Sequence, residues 1–517
     1  MNPKNYRGKV VNPKNYIRQN RQLFLSFGVC VLFALILVMP AYAADKPSEM
    51  SPQAKPVEHD PKVFSPDPSY EEKKYDAPGQ IDIYGGKSRF DEVRPILELG
   101  RPIYLEGPFK KGINILGRKN AMYPGFHVSG DWRTAVGYNE NGAVETGLVA
   151  TRLNLDLDLR LTSTERIHAT MTPLNQGGNF TQKEFFGDDR DSDFELRKNL
   201  NLDALFFEGD VGTIAQGLSD SYNLIDLPFS FGLMPLLFQN GVWFEDAFTG
   251  GAFAIPAMSS PKLGISNMDI TFFGGFDKVT TPAVLDDAGA LADHSLSIYG
   301  ATTYLEANEG YWEAGIGRLD GEDDFDELSY NSATLAFTKR YGRSLSNSLR
   351  TIYTFGQDRN NAQQTADGWM FIAENSLVTS LPSTLVPYAN FWLGLDRPQP
   401  LADGTGLLKN TGITFDTNAL TGLPKLDDTG HDTWGGAIGI EYLFNLDQQI
   451  VFEVSALQIL GDANELGRAA VDDQYGLGFR WQLPISRSWI LRADAMYGAL
   501  KGADDIAGAS LEMRYKF

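Results

Sequence analysis

The chain has 517 residues, 43% of them hydrophobic and 12% aromatic, with 52 Gly, 66 acidic against 45 basic side chains and a formal charge of -21. One Cys and five His exclude a disulfide scaffold and leave little for a Cys/His metal centre, and the acid excess argues against nucleic acid as a partner. Length alone fits either several soluble domains or one large membrane barrel, so patterning has to decide.

Residues 1–43 carry six basic side chains (Lys4, Arg7, Lys9, Lys14, Arg18, Arg21) and no acid, then an apolar run from Leu23 to Met39, then Pro40 and the small-x-small box Ala41-Tyr42-Ala43. That order is expected of a cleaved secretory signal; the competing reading is a retained membrane anchor. NPKNY occurs twice, at Asn2 and Asn12, and no function attaches to the repeat. Cys30 follows Val29, where a lipoprotein cleavage site wants a small residue, so no lipid anchor is expected. Loss of this segment removes only positive charge and leaves the remainder more acidic.

Residues 44–80 are rich in Pro and charge and too poor in apolar side chains to fold alone, which predicts a disordered tether. Residues 81–125 hold short apolar pieces between Gly, Pro and basic residues, and are expected to be loosely structured, under or inside whatever follows.

From Phe126 to Phe517 the period is 2, the signature of strands with one apolar and one polar face. Leu153 to Leu161 alternates five Leu with Asn154, Asp156, Asp158 and Arg160, and His127 to Asn139 alternates Val128, Trp132, Val136 and Tyr138 with Asp131 and Arg133. In the last third, Trp434 to Phe444, Gln474 to Leu483, Trp489 to Ala499 and Ile506 to Phe517 repeat the pattern. A soluble sandwich could alternate in the same way. Three features favour a barrel: strands of about ten residues, long enough to cross a bilayer at a tilt; aromatics at strand ends, with Phe444, Trp481, Trp489, Tyr515 and Phe517 at one level and Trp434, Tyr475 and Tyr497 at the other; and short connections alternating with long ones. The predicted fold class is an all-β transmembrane antiparallel up-and-down barrel of about eighteen strands, or sixteen, because the segment from 211 to 265 registers poorly; strands are placed there at 211–217 and 254–265.

At its final strand the chain resembles Gram-negative outer-membrane porins and channels. Leu511, Met513, Tyr515 and Phe517 stand where that group has its terminal alternating hydrophobics, and the overall size is similar to that of monomeric channels such as the alginate exporter. The resemblance covers residues 126–517 in pattern only. It implies a periplasmic C-terminal end, recognition of the last strand by the barrel assembly machinery, and contact with outer-membrane lipid and lipopolysaccharide. It also implies passive passage of small hydrophilic solutes, without a cofactor.

No nucleophile elbow, paired-His helix or CxxCH occurs, so neither a catalytic nor a metal site is expected. Two other readings stay open: an export or electron-conduit barrel working with a periplasmic partner such as a multihaem cytochrome, and a barrel enzyme built from separate strands. Counted from the periplasmic strand ends, Glu441, Glu453, Arg480, Arg492 and Arg514 share one height and the lumen parity of their strands, a candidate charge row that serves either as an ion filter or as a salt-bridge ladder with Asp494 and Glu512. Acidic pairs and runs at 188–193, 322–327, 427–428, 472–473 and 504–505 are expected in solvated outer loops. Residues 224–258 are too apolar for an exposed loop, and are expected to fold inward and narrow the lumen or else to add strands.

Overall fold

The computed structural model describes residues 93–103, 111–142, 144–186, 194–287, 289–377, 379, 385–444, 448–463 and 468–517. The expected signal segment and tether lie outside the described residues. The fold is a closed antiparallel barrel of 18 strands. In chain order these are β1 (Gly125–Asn141), β2 (Val144–Arg160), β3 (Arg166–Met171, resumed at Asn179–Phe186), β4 (Phe194–Glu195, resumed at Leu202–Asp210), β5 (Pro228–Phe238), β6 (Phe244–Ser260) and β7 (Ile265–Asp277). Then come β8 (Leu296–Ala307), β9 (Gly310–Gly321), β10 (Tyr330–Tyr341), β11 (Leu345–Phe355), β12 (Asp367–Leu377) and β13 (Leu385–Arg397). The wall ends with β14 (Thr433–Phe444), β15 (Gln448–Ile459), β16 (Gln474–Pro484), β17 (Trp489–Leu500) and β18 (Ile506–Lys516).

Closure is made by β18 against β1, from Asp131 opposite Lys516 to Asn141 opposite Ile506. Phe517 and Gly130 exchange backbone hydrogen bonds of 3.0 and 2.8 Å at the end of that seam. Below it a short strand, Leu97–Gly100, pairs with residues 125–128 of β1 and takes up the edge that β18 no longer covers. No free edge remains along β1 from end to end, which is what a barrel wall requires. Residues 118–120 form a 3₁₀ turn close by, and Asn120 donates to Glu165 at 2.7 Å.

The alternation places one face of each strand outward. Trp132, Val136, Ile438, Ile440, Phe452, Val454, Leu477, Leu511 and Met513 are exposed on that face, while Asp131, Asn139, Glu453, Asp494, Ser510 and Glu512 are buried on the other. Exposed Trp489 packs on Tyr515 at one end (ring centroids 4.6 Å apart), and Trp434, Tyr475 and Tyr497 are exposed at the opposite end. An apolar belt between two aromatic levels is the outer surface of a membrane-spanning barrel.

Two sequence expectations are corrected here. Residues 211–217 are not a strand but lie in a helix, α1 (Val211–Ser219): Asp210 caps it by accepting the Thr213 N–H at 2.6 Å, and Asp220 ends it in the left-handed conformation at φ 52°. The strand placed at 254–265 runs instead from 244 to 260, and β5 precedes it, so the apolar segment 224–258 supplies wall rather than an inward fold. Its interrupting prolines sit within β5 and β6, which pair with each other from Phe244 opposite Phe238 to Phe253 opposite Phe229. The total of eighteen survives because one helix read as a strand offsets one strand overlooked.

The lumen is narrowed by residues 398–432, the connection between β13 and β14. Leu401, Leu407, Leu408, Phe415, Leu423 and Leu426 from this segment join Trp243, Phe244, Phe248, Leu296, Tyr330 and Met370 in one buried apolar cluster. Ala402–Asp403 pairs in parallel with Phe244–Glu245, and the Tyr330 hydroxyl donates to Pro400 O at 2.8 Å. Glycines on the wall let the segment sit close: a Cβ at Gly137 would stand 2.7 Å from Thr421 Cβ, and one at Gly476 would stand 2.9 Å from Leu426 Cδ1.

Candidate functional site: the narrowed lumen

The inward segment is fastened to many strands. Asn139 on β1 donates to Thr421 O (2.6 Å), Asn390 on β13 to Thr411 O (2.7 Å), and Asp427 N donates to Gln474 on β16 (2.9 Å). Its strongest anchor is Glu453 on β15, whose carboxylate accepts from Ile413 N (2.9 Å), Thr414 N (3.0 Å), the Thr414 hydroxyl (2.9 Å) and the Tyr388 hydroxyl (2.6 Å). Four donors on one buried carboxylate offset much of the cost of burying it.

The sequence-derived charge row therefore divides into separate tasks. Glu453 holds the segment. Glu441 accepts from Gln449 at 2.6 Å. Arg480 pairs with Asp494 (2.7 Å) and reaches Asp416 of the segment (3.4 Å), while Arg492 holds the other Asp494 oxygen at 2.6 Å. Arg514 pairs with Asp131, which Arg133 also holds at 3.1 Å. In register, Arg480 faces Asp494 and Arg492 faces Glu512, so shear slants the row and interleaves acids with bases. Leu511 and Met513 of the last strand face outward with Tyr515.

Asp427 and Asp428, expected in a solvated outer loop, lie instead in the inward segment: Asp427 accepts from Thr429 N and Oγ1, and Asp428 pairs with Lys425 at 2.6 Å. Burial pushes the Asp427 carboxyl up to about 6, against its Thr429 hydrogen bonds. Burial pushes His431 down to about 4, with Arg397 adding to the effect. Both share the mouth of the barrel with Gln399, which contacts the His431 ring at 3.2 Å.

Space remains along the β1–β3 wall, in two cavities. One, of about 650 Å³, lies toward the Phe517 end and is lined by Arg133, Arg152 and Arg514 together with Asp131, Asp156 and Asp203. Arg152 bonds Asn154 at 2.5 Å and lies over the Phe180 ring at 5.6 Å. No carboxylate among the described residues is within ion-pair distance of it. The other, of about 460 Å³, lies toward the opposite mouth, between β1, β2, β3 and residues 419–422. At the height between them, Ala135, Leu148, Ala150, Phe180 and Leu420 form a buried apolar cluster.

Phe180 reaches that position because β3 is interrupted. Residues 172–180 leave the wall and turn at Gly177 and Gly178 (φ 58° and 77°), with Asn175 opposite Phe180 in a tight hairpin. The Asn-Gln-Gly-Gly-Asn run between apolar residues was a readable hairpin signal. Nothing in the sequence says that the hairpin meets Leu420, some 240 residues away.

No family model matches the chain, and no curated protein matches it. Among solved structures it is similar to Pseudomonas aeruginosa OccK5 (OpdH), at 11% identity and a TM-score of 0.47, with 76% of this chain and 98% of that one covered. It is also similar to Pseudomonas aeruginosa OccK3 (OpdO), at 10% identity and 0.45, covering 75% and 95%. A third is Wzi of Escherichia coli, described as an outer membrane protein involved in group 1 capsule assembly and a carbohydrate-binding β-barrel, at 12% identity and 0.44, covering 75% and 84%.

Proposed function

We propose that the protein is an outer-membrane channel through which small hydrophilic solutes pass passively, driven by their own gradients. The observation that carries this reading is the pair of polar cavities along one wall of a closed barrel, with the apolar cluster of Ala135, Leu148, Ala150, Phe180 and Leu420 at the height between them. Residues 398–432 occupy lumen space against the other strands, so width and lining chemistry in this sector bear on what crosses. The protein is exported by a cleaved signal, sits in outer-membrane lipid and lipopolysaccharide, and uses no bond chemistry and no cofactor. Its last strand, with Leu511, Met513, Tyr515 and Phe517, is the element read by the assembly machinery.

The charged side chains add selectivity to width. Arg152 presents a guanidinium with no carboxylate of the described residues within ion-pair distance, and Arg133 and Arg514 share one Asp131. In a narrow low-dielectric lumen such groups favour anions at the Phe517 end. Liposomes carrying the purified protein should swell in small sugars and amino acids, whereas protein-free liposomes should not. Absence of swelling with correctly closed barrels would remove the channel reading.

A further inference from the structure

We infer that the cavity of about 460 Å³ on the side of the barrel away from Phe517 is a binding subsite for an uncharged polyhydroxylated solute, a sugar or polyol. Its lining is rich in amides and hydroxyls: Asn139 and Asn141 from β1, Thr146 from β2, Asn179 and Gln182 from β3, and Thr421 from the inward segment. Neither Lys nor Arg lines it. The contrast with the three guanidinium groups of the other cavity is a difference in chemistry along a single wall.

Amide side chains offer a donor and an acceptor side by side, the match for the paired donor and acceptor of vicinal hydroxyls. Several are already oriented. Asn139 commits its Nδ2 to Thr421 O at 2.6 Å, and Gln182 donates to Glu184 at 3.0 Å. Asn139 and Thr421 are 3% and 1% exposed, yet Asn139 Oδ1 and Thr421 Oγ1 have no hydrogen-bond partner. Those two atoms pack toward Gly508 and Gly137 of the wall, so the groups that meet an occupant are Asn141, Thr146, Asn179 and Gln182, which are not buried. Phe180, Leu148 and Leu420 form the apolar floor against which the C–H face of a sugar ring would lie.

Charge sorts the candidates further. An anion entering this cavity meets a lining that includes the Glu184 carboxyl and, among the described residues, neither Lys nor Arg. A neutral solute meets no such penalty, and the volume lies within the range of small-molecule sites.

The inference rests on the channel reading, because solute reaches the cavity through the barrel mouth, and two measurements keep the two apart. With the full-length protein purified in detergent, calorimetric titration with glucose, maltose, glucuronate and spermidine reads binding; liposome swelling in the same sugars reads passage. The expected result is that glucose or maltose binds at least about tenfold more tightly than glucuronate or spermidine, and that Gln182→Leu weakens this binding about tenfold. Asn179→Leu, at the exposed hairpin tip, should act in the same direction and covers the case in which Gln182→Leu fails to assemble. Tighter binding of glucuronate or spermidine, no binding of neutral sugar, or binding unchanged in both variants would overturn the inference. Binding without swelling would uphold the subsite and remove the channel reading, and swelling without binding would do the reverse.

Discussion

Glu453 on β15 holds Thr414 of the inward segment twice, through its backbone N–H at 3.0 Å and its hydroxyl at 2.9 Å. This carboxylate, buried to 3% exposure, is one of the fastenings that hold the segment in the lumen.

Glu453→Gln turns one acceptor oxygen into a donor that faces other donors. The local loss should be about 2 kcal/mol, and it should fall on the segment rather than on the barrel. Hydrogen exchange at residues 411–416 should accelerate by about tenfold or more, with heat-resistant gel mobility of the folded protein unchanged. Unchanged exchange would mean that other contacts hold the segment without this carboxylate.

The arginines of the lumen should separate into two classes. Arg480→Gln removes a partner of the buried Asp494 and releases Asp416, so it should lower stability by about 1–3 kcal/mol. Arg152→Gln breaks no ion pair among the described residues, only the Asn154 hydrogen bond and the contact with the Phe180 ring, and should cost less stability than Arg480→Gln while shifting the reversal potential toward cations. Equal stability loss in both variants, or a potential unmoved by Arg152→Gln, would contradict this division.

How much of this was legible in the sequence follows from the reach of each signal. Alternation such as Leu153 to Leu161 reports which face of a strand meets lipid, because the period is local, and every strand from β7 to β18 can be placed within a few residues. The 211–217 segment misled because Asp210 and Thr213 make a helix cap from residues that also fit a short strand. The inward segment was overlooked although Leu407, Leu408, Ile413, Phe415, Leu420 and Leu423 make residues 398–432 too apolar for a solvated connection. Parity and counted height suggest a charge row, whereas the register sets Arg480 opposite Asp494 and Arg492 opposite Glu512. The partition of these charges into an anchor (Glu453), a paired ladder (Arg480, Arg492) and a shared clasp (Arg514 with Arg133) depends on shear and on a distant loop, neither of which a strand-by-strand reading contains.

Asp427 and His431 make the inward segment respond to pH in opposite senses over one window. The folded Asp427 binds its proton more tightly than an unfolded carboxyl (about 6 against 3.8), so its contribution rises as pH falls through 6 toward 3.8. The folded His431 binds its proton less tightly (about 4 against 6.5), so its contribution falls as pH falls through 6.5 toward 4. Each is worth roughly 3 kcal/mol and they nearly cancel. Protection factors of residues 404–430 (exchange rates divided into the intrinsic rate at each pH) should therefore change little between pH 7 and pH 4.5 in the wild type. Protection should fall on acidification in Asp427→Asn, where only the histidine acts, and rise in His431→Gln. The same acid response in both variants would contradict the opposed signs.

The proposed passage runs where the hairpin carrying Phe180 meets the segment carrying Leu420, since these two side chains belong to the apolar cluster at the height between the two cavities. Single-channel conductance in planar bilayers of the wild type and of Phe180→Ala combined with Leu420→Ala tests it most directly. Both truncations open space at the junction without touching the wall ladder, so the account predicts a conductance severalfold higher in the double variant, with the barrel still resistant to detergent before boiling. A folded double variant with wild-type conductance would place the passage elsewhere and contradict the account.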